Sequence, residues 1–391
     1  MMIDPTLIFD DITREALENE HFRGAVVRVE YFGSLVFEKA WGDALLHENQ
    51  RIPMSTKHLF DLASLSKLFT STAVLRLISI GALKLQTSIL ELTAFTDPLL
   101  MTSLAQVDVA SLLNHSTGIH YWFPCYTRSD ESFEAILTSV LAEHPRKEQV
   151  IYSDLNYILL GLAVERILSK PLPQAIQELV FTPLKMHSAV YNPKKSSITN
   201  IAATEYGNRI EKRMVSALGL EFTGWRDDTV PIQGTCNDGN CFYYFKGAAG
   251  HAGIFADAAD VARLGNLYLK GIYDQNQGRS RFTAAGNWLS GTDPYLDPTI
   301  MKAAVSRHRA ADPLDSSALS SEPDRGYGFQ FGPNYPGGGF GHTGFTGTYL
   351  HINPETGLTV TILTNRLHVP YPTDINPYRQ AISRAAVEHF L

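Results

Sequence analysis

Segments with high β-strand propensity lie near both ends of this chain, and helical or loop-rich sequence separates them. Residues 24–41 hold two such runs around a Phe-Gly-Ser turn at 32–34, a pattern typical of a β-hairpin. Residues 341–365 hold further short strands, with a turn at 353–357. The pattern predicts an α+β fold, in which an antiparallel sheet assembled from both termini is flanked by helices and a mainly helical part is inserted.

This organisation predicts one part made of residues 1–81 and 256–391 and a mainly helical insertion of residues 82–255. Helix-like spacing recurs within the insertion and in a closing amphipathic segment, residues 374–391. The polar, irregular segment 270–325 is expected to form surface loops with one short helix. We therefore expect two interlocked parts of one fold, not two domains in tandem.

The composition excludes several classes of partner. Of 391 residues, 44% are hydrophobic, enough for sizeable cores, and the net charge is −7. No run of lysine or arginine is present that would follow a nucleic-acid backbone or an anionic membrane surface. No apolar stretch reaches the ~18 residues that a membrane-spanning helix needs. The partner expected from the sequence is a small molecule or a peptide.

The N-terminal twenty residues are acidic, whereas a secretory signal begins basic and continues apolar, so we expect a cytoplasmic protein, or a periplasmic or secreted one if a presequence is missing. Cys125, Cys236 and Cys241 do not describe a disulfide framework, although the last two lie in one glycine-rich loop and could bridge in an oxidising compartment. No metal-binding motif is present, and we expect no metal and no cofactor.

The segment DLASLSKLFT, residues 61–70, places a serine and a lysine on one helical face beside an apolar stripe. Ser64 and Lys67 are three residues apart, whereas Ser66 has Phe69 in that position and is not a candidate nucleophile. A lysine activates a serine only where burial or nearby positive charge makes its neutral amine accessible, and the apolar neighbours of Lys67 favour this. The alternative is the polar flank of an ordinary buried helix.

A second stretch, VIYSDLNYILLG at 150–161, places Tyr152 just before a helix, where its hydroxyl could enter a cleft or lie satisfied in a core. Ser153 with Asn156 three residues later is typical of N-terminal helix capping. Asp154 is in itself an ordinary acidic residue of a first helical turn, where the helix dipole favours it.

A third stretch, GFGHTGFTGTYLHI at 339–352, has glycines spaced as in a dinucleotide-binding loop. That loop requires a helix after the glycines, and strand-like sequence follows here, so nucleotide binding is excluded. The glycines instead indicate an edge strand whose backbone can approach a ligand closely, with His342 and Thr343 facing it.

Together the three stretches resemble the superfamily of class C β-lactamases, low-molecular-weight penicillin-binding proteins and carboxypeptidases, D-aminopeptidases and serine esterases. Its three motifs are Ser-x-x-Lys, met by SLSK, Tyr-x-Asn, approximated by YSD, and Lys-Thr-Gly or His-x-Gly, met by HTG. They stand in the expected order across most of the chain, with similar flanking stretches such as LLNHSTGI and GAAGHAGIFADAADVARLGNLY.

The resemblance implies a role for each motif residue, with the active site at the junction of the two parts. Ser64 would be acylated, Lys67 would help to deprotonate it, and Tyr152 would relay protons to the leaving group and from the deacylating water. The amides of Ser64 and Phe345 would form the oxyanion hole, each donor commonly worth ~3 kcal/mol. Substrate contacts would come from Asp154, His342, Thr343, Gly344 and Phe345.

Two residues depart from the family pattern. Asp154 stands where asparagine is usual, and an ionised aspartate accepts hydrogen bonds but cannot donate one to an acylamide. His342 stands in the position that β-lactamases fill with lysine, so fixed positive charge opposite a substrate carboxylate is lost unless the imidazole is protonated. Both changes favour an esterase, or a peptidase acting on D-amino-acid substrates, over a β-lactamase.

The sequence therefore predicts a serine hydrolase that forms an acyl-Ser64 intermediate on small esters, D-alanyl peptides or β-lactam-like substrates. The alternative is a protein of the same fold that acylates once, or only holds a ligand, as a penicillin-binding protein or sensor. His115 is interpreted as part of a hydrogen-bonded turn, and His251 as structural support or as part of the far wall of the cleft. Several aromatic residues could form a wall for the acyl group: Trp122, Phe123, Tyr126, Trp225, Tyr243 and Tyr244.

Overall fold

Nine strands form two sheets in the computed structural model, which describes residues 5–277, 295–308 and 324–390. The strands are β1 Gly24–Tyr31, β2 Ser34–His47, β3 Gln50–Pro53, β4 Phe60–Asp61, β5 Val190–Tyr191, β6 Ile254–Ala256, β7 Phe340–Thr343, β8 Tyr349–Asn353 and β9 Leu358–Thr364.

Twelve α-helices occur in the described ranges, together with short 3-10 and π turns. The helices are α1 Pro5–Glu18, α2 Ser66–Ser79, α3 Ile89–Leu92, α4 Pro98–Ser103, α5 Val109–Leu113, α6 Phe133–Glu143, α7 Asp154–Leu168, α8 Leu172–Ile176, α9 Arg209–Ala217, α10 Ala258–Gln277, α11 Pro298–Ala304 and α12 Asn376–His389.

The larger sheet is antiparallel, with the strand order β3-β2-β1-β9-β8-β7. Its centre joins the two ends of the chain, because β1 pairs with β9 from Ala25 opposite Thr364 to Tyr31 opposite Leu358. Phe32 and Gly33 link β1 to β2 and both have positive φ, as a type I′ hairpin turn requires. The predicted α+β class and the sheet built from both termini are confirmed.

Helices cover both faces of this sheet. Alternate residues of β1 enter different cores: Val27 packs with the group that includes Phe9 of α1 and Ile382 of α12, and Val26 with the group that includes Leu264 of α10. This period of two is the pattern expected of a strand buried on both sides. The amphipathic segment predicted at 374–391 is α12.

Helix α2 is buried on nearly all sides and holds the first motif in the interior. Its hydroxyl groups bond to neighbouring helices, with Ser71 Oγ 2.8 Å from the Tyr157 hydroxyl of α7 and Thr72 Oγ1 2.8 Å from that of Tyr268 of α10. These long-range contacts satisfy polar groups that would be costly to bury unpaired. They fix the start of α2 relative to the rest of the fold.

The smaller sheet, with the order β4-β6-β5, leads into α2 and crosses the predicted boundary at 255–256. The division into 1–81 with 256–391 and 82–255 stays a prediction. Within the predicted irregular segment 270–325, α10 continues to Gln277 and α11 is the one short helix expected, while residues 278–294 and 309–323 lie outside the described residues. No helix in the described ranges is long and apolar enough to cross a bilayer.

Candidate active site

Ser64 lies in a tight turn between β4 and α2, and hydrogen bonds from several segments hold this turn in place. Ala63, the residue before it, has φ 45°, an unfavourable backbone conformation for a residue with a Cβ, and its amide donates to Asp61 Oδ1 at 2.9 Å. The hydroxyl groups of Thr346 and Thr348 donate to the carbonyls of Asp61 and Leu62 at 2.6 and 2.9 Å. The segment after β7 is thereby tied to the turn that carries the serine.

Lys67 is completely buried one helical turn after Ser64. Its Nζ lies 2.9 Å from Ser64 Oγ, 2.7 Å from Asp154 Oδ1 and 3.4 Å from the His251 carbonyl oxygen. The lysine and serine of the first motif thus contact each other directly. The ammonium group is held between a hydroxyl, a carboxylate and a main-chain oxygen, the partners that a buried cation needs.

The charge state of Lys67 differs from the sequence prediction. Burial alone would lower the pKa of Lys67, but the negative charge of Asp154, with a contribution from Tyr152, raises it above its ordinary value. The expectation that apolar surroundings make the neutral amine of Lys67 accessible is therefore wrong. It failed because the carboxylate that stands in place of the usual asparagine is the direct partner of the lysine.

Tyr152 lies among four cationic or imidazole side chains. Its ring centroid is 4.9 Å from Lys67 Nζ, 4.6 Å from the Arg325 guanidinium carbon, 4.7 Å from the His115 ring and 5.9 Å from the His342 ring. Sequence reasoning missed Arg325, which belongs to an irregular polar segment without a motif. Two positively charged side chains, Lys67 and Arg325, thus lie against this ring in cation–π contacts.

The helix that follows Tyr152 begins differently from the prediction. Ser153 is the N-cap residue of α7, but its side chain caps no amide, and its hydroxyl donates to the His120 carbonyl at 2.7 Å. Asn156 accepts from the Thr117 hydroxyl at 2.8 Å and lies 3.3 Å from His115 Nδ1. The predicted capping pair is wrong, because both side chains hold the 115–120 turn against Tyr152. His115 has the structural role expected of it.

The third motif supplies backbone groups beside the serine. The Gly344 amide donates to the Thr348 carbonyl at 2.8 Å, whereas the Phe345 amide donates to no acceptor in the described part of the chain. A Cβ on Gly344 would lie 2.0 Å from Thr348 Oγ1 and 2.5 Å from the Leu62 carbonyl oxygen, so only glycine fits. Ser64 itself lies in the first helical turn, where amides have no acceptor within the helix.

His342 does not face the cavity in the way that the sequence suggested. It is 1% exposed, and its Nδ1 lies 2.7 Å from the Thr343 carbonyl oxygen. Burial, together with the charges of Lys67 and Arg325, lowers the pKa of His342 well below its usual range. The imidazole is therefore neutral and offers no positive charge to a substrate carboxylate.

Three acidic side chains that sequence reasoning did not connect form the opposite wall, and two of them have partners. Asp238 Oδ1 lies 2.9 Å from Nε2 of the buried His251, and Asp154 pairs with Lys67. Burial alone would raise the pKa of Asp238, but the His251 imidazole lowers it, so this carboxylate is ionised. The third acid, Glu211 of α9, has no motif around it that could have signalled its position.

Asp154, Asp238 and His251 also have the composition of a small cation site, with ligand atoms within 4.8 Å of one another. Lys67 Nζ and His251 Nε2 already contact the two carboxylates, at 2.7 and 2.9 Å. The three side chains therefore belong to an internal polar network next to the serine, in which Lys67 is the cation. His251 fits the interpretation of a structural residue on the far side of the cleft.

A cavity of about 330 Å³ connects these groups and is large enough for a small ligand. Of the predicted site residues, Ser64, Tyr152, Asp154, Thr343 and Phe345 line it, whereas Lys67, His342 and Gly344 lie behind its wall. Tyr121, Trp122, Gln330, Asn237 and Met214 complete much of the lining.

Of the aromatic residues considered for an acyl-binding wall, Trp122 lines the cavity. Tyr126, Trp225 and Tyr243 pack instead on one another and on Phe222. All three cysteines are free thiols, so the possible bridge between Cys236 and Cys241 is not formed.

Comparison with known proteins relates the whole chain to one family. A family model described as "Beta-lactamase" matches residues 9–383. An N-acetylmuramyl-L-alanine amidase of Bacillus subtilis (strain 168) is 29% identical over 371 residues, which are 89% of this chain and 78% of the relative. A putative D-alanyl-D-alanine carboxypeptidase of Escherichia coli (strain K12) is 28% identical over 363 residues, or 86% and 76% of the two chains.

Among solved structures, the D-amino acid amidase from Ochrobactrum anthropi SV3 complexed with D-phenylalanine superposes with a TM-score of 0.68. The two chains are 18% identical, and the match covers 98% of this chain and 99% of the other. At this identity the likeness concerns the fold.

Proposed function

The chain belongs to the Beta-lactamase family, whose relatives named above are hydrolases, and we propose that it hydrolyses small amides or esters through an acyl-Ser64 intermediate. The observation that carries the proposal is the 2.9 Å contact between Ser64 Oγ, at the cavity surface, and the buried Lys67 Nζ. A serine next to an amine, with backbone donors nearby, is the arrangement that acyl transfer requires.

In the acylation step, Ser64 Oγ attacks the carbonyl carbon of the substrate, and its proton passes to the free amine of Lys67. The oxyanion of the tetrahedral intermediate accepts hydrogen bonds from the amides of Ser64 and Phe345. The bond to the leaving group then breaks, and the leaving nitrogen or oxygen takes a proton from Tyr152. Because Asp154 stabilises the ammonium form of Lys67, the free amine must form before attack, and acylation is fastest at alkaline pH.

In the deacylation step, a water molecule gives a proton to Tyr152 and attacks the Ser64 ester. The carboxylic acid leaves, and Ser64 recovers its proton from Lys67. The acid wall formed by Asp154, Asp238 and Glu211 lies along the same cavity. The substrate is an amide or ester without a carboxylate next to the reacting bond, since the neutral His342 supplies no charge to bind one.

The same nucleophile would serve a protein that is acylated once and then stays modified. In that candidate, Tyr152 would not take a proton from water, and the Ser64 ester would persist. The neutral His342 weighs against a penicillin, whose carboxylate would meet no cation there. Turnover therefore fits the cavity better than stable capture of a β-lactam.

The test is intact-mass spectrometry after exposure to a fluorophosphonate, together with release of nitrophenol from p-nitrophenyl butyrate over time. We expect the wild type to be labelled once and to turn over, and Ser64→Ala to do neither. Ser66→Ala is the matched control, because it removes a hydroxyl two residues away whose oxygen accepts from the Ile254 amide. A single equivalent of nitrophenol from the wild type would favour the one-turnover candidate, and wild-type turnover by Ser64→Ala would refute both.

A further inference from the structure

The charges along the cavity wall are unevenly distributed. Three carboxylate side chains line it, those of Asp154, Glu211 and Asp238, whereas none of its described lining residues is a lysine or an arginine. Lys67 lies behind the wall and pairs with Asp154, and His251 pairs with Asp238. The third acid, Glu211, contacts no basic side chain among the hydrogen bonds and ion pairs of the described residues.

Glu211 is buried and only half satisfied. It is 6% exposed, its Oε1 accepts from the Gly239 amide at 3.1 Å, and its Oε2 has no hydrogen-bond partner. A buried carboxylate oxygen without a donor is costly, and native proteins rarely leave one at a site without function. The missing donor is one that a ligand in the cavity can supply.

The local backbone holds this carboxylate in place. A Cβ on Gly239 would lie 2.2 Å from Glu211 Oε2, so the absence of a side chain there makes room for the acid. Burial and the neighbouring charge of Asp238 raise the pKa of Glu211 well above its usual range. This carboxyl group therefore holds its proton more tightly than an exposed glutamic acid, and an ammonium group placed next to it and Asp238 would favour its ionised form.

No cation of the described chain reaches that position from within the cavity. Arg226 is the positive residue near Glu211, but its guanidinium donates to the Cys236 carbonyl and lies 3.5 Å from the Phe242 ring centroid, outside the lining. Trp122 faces the same space, and an aromatic face also attracts an ammonium group.

We propose that Glu211, with Asp238 beside it, binds a primary ammonium group of the substrate, so that the substrates are amides or esters that carry a free amino group. This inference rests on the proposed function, because it assigns the ligand of the same cavity. The ammonium donates to Glu211 Oε2 in a charge-assisted hydrogen bond, which is stronger than a bond between neutral groups. A compound that carries a carboxylate instead meets no lysine or arginine among the described lining residues.

The experiment measures how fast a fluorophosphonate labels Ser64 when a small competitor is present. The competitors are n-butylammonium chloride, n-butanol and sodium butyrate, of matched chain length, at equal concentration and ionic strength. We expect butylammonium to slow labelling at least tenfold at a concentration where butanol and butyrate change it less than twofold. The readout is the ratio of rates with and without competitor, so differences in the reactivity of Ser64 between variants cancel.

Three variants connect the protection to the acid wall. Glu211→Gln keeps the size of the side chain and should reduce the protection by butylammonium at least tenfold. Met214→Lys places a positive charge on the cavity wall one turn along α9 and should have the same effect, which keeps the test valid if Glu211→Gln does not fold. Asp228→Asn is the control, since it removes an exposed acid that pairs with Lys212.

The outcomes separate the two proposals. If the fluorophosphonate does not label Ser64 in any protein, the proposed function fails. If Ser64 is labelled but the three competitors slow labelling equally, ammonium binding is refuted and the serine hydrolase stands. The same follows if butylammonium protects Ser64 in both Glu211→Gln and Met214→Lys as well as it does in the wild type. Ammonium binding at Glu211 is also refuted if Asp228→Asn loses as much protection by butylammonium as Glu211→Gln does. The net charge of the protein, and not the cavity wall, would then be responsible.

Discussion

Lys67 Nζ lies closer to Asp154 Oδ1, at 2.7 Å, than to the Ser64 hydroxyl that it is expected to activate, at 2.9 Å. The aspartate that departs from the family motif is thus the counter-ion of the lysine of the first motif. This contact raises the pKa of Lys67, and in the mechanism that we propose it thereby sets the pH at which the serine reacts.

Replacing Asp154 by asparagine should shift the pH dependence of acylation. Without the negative charge of Asp154, the main cause that raises the pKa of Lys67 is removed while burial still lowers it, so the pKa falls and the free amine forms at lower pH. We expect the acidic limb of the rate of fluorophosphonate labelling to move down by a pH unit or more, with labelling several-fold faster at pH 7. Asp130→Asn, at an exposed acid, is the control. An unchanged limb, or slower labelling at every pH, would contradict this role of Asp154.

The Lys67–Asp154 pair should also be visible in stability. Lys67→Met leaves Asp154, which is 19% exposed, without its counter-ion, and we expect a loss of about 3 kcal/mol in the free energy of unfolding. The double variant with Asp154→Asn should recover about half of that loss, because no charge is then left unpaired. Urea unfolding of the four proteins gives the coupling energy. A coupling below about 0.5 kcal/mol would mean that solvent already screens the pair.

Gly344→Ala should impair catalysis far more than folding. The added Cβ would contact Thr348 Oγ1 and the Leu62 carbonyl, so the segment that carries the Phe345 amide must move away from Ser64. Loss of one oxyanion donor typically costs 10²–10³-fold in rate, and we expect a loss of about that size in hydrolysis of p-nitrophenyl butyrate. Gly271→Ala is the control, since the atoms nearest to its Cβ would belong to the flexible Met301 side chain. If Gly344→Ala and Gly271→Ala hydrolyse p-nitrophenyl butyrate at equal rates, the Phe345 amide is not an oxyanion donor.

Asp61 should make stability depend on pH in the direction opposite to most acids. Burial raises the pKa of Asp61 to about 6 from an ordinary value of 3.8, so the folded state holds its proton more tightly than the unfolded state does. Stability from this group is complete below pH 3.8 and is lost as the pH rises through 6. The difference corresponds to about 3 kcal/mol.

The measurement is the free energy of unfolding of the wild type minus that of Asp61→Asn at several pH values. Other groups that titrate in this window, such as His351 with a pKa of about 4, are present in both proteins and cancel. We expect the difference to fall between pH 4 and pH 6. A difference that is constant across this range would show that Asp61 is ionised throughout, held by the amides of Ala63 and Asn237.

The amino-acid sequence by itself determined the features that depend on neighbours along the chain. The alternation in β1, the short turns at 32–33 and 353–357 and the three-residue spacing of Ser64 and Lys67 are local, and backbone geometry converts them directly into a hairpin, a strand pair and one helical face. The three motifs are likewise short stretches of the sequence, so their presence and their order along the chain were enough to indicate the family.

The tertiary structure alone decided what these residues meet across the fold. Asp154 as the partner of Lys67, Arg325 beside Tyr152 and Glu211 on the cavity wall are contacts between residues that lie far apart in sequence. Charge states follow burial and the distance to other charges, and neither quantity can be read from the spacing along a chain. That is why the sequence located Ser64 and Lys67 as candidates, and why the protonation of the lysine and the acidic lining of the cavity required the structure.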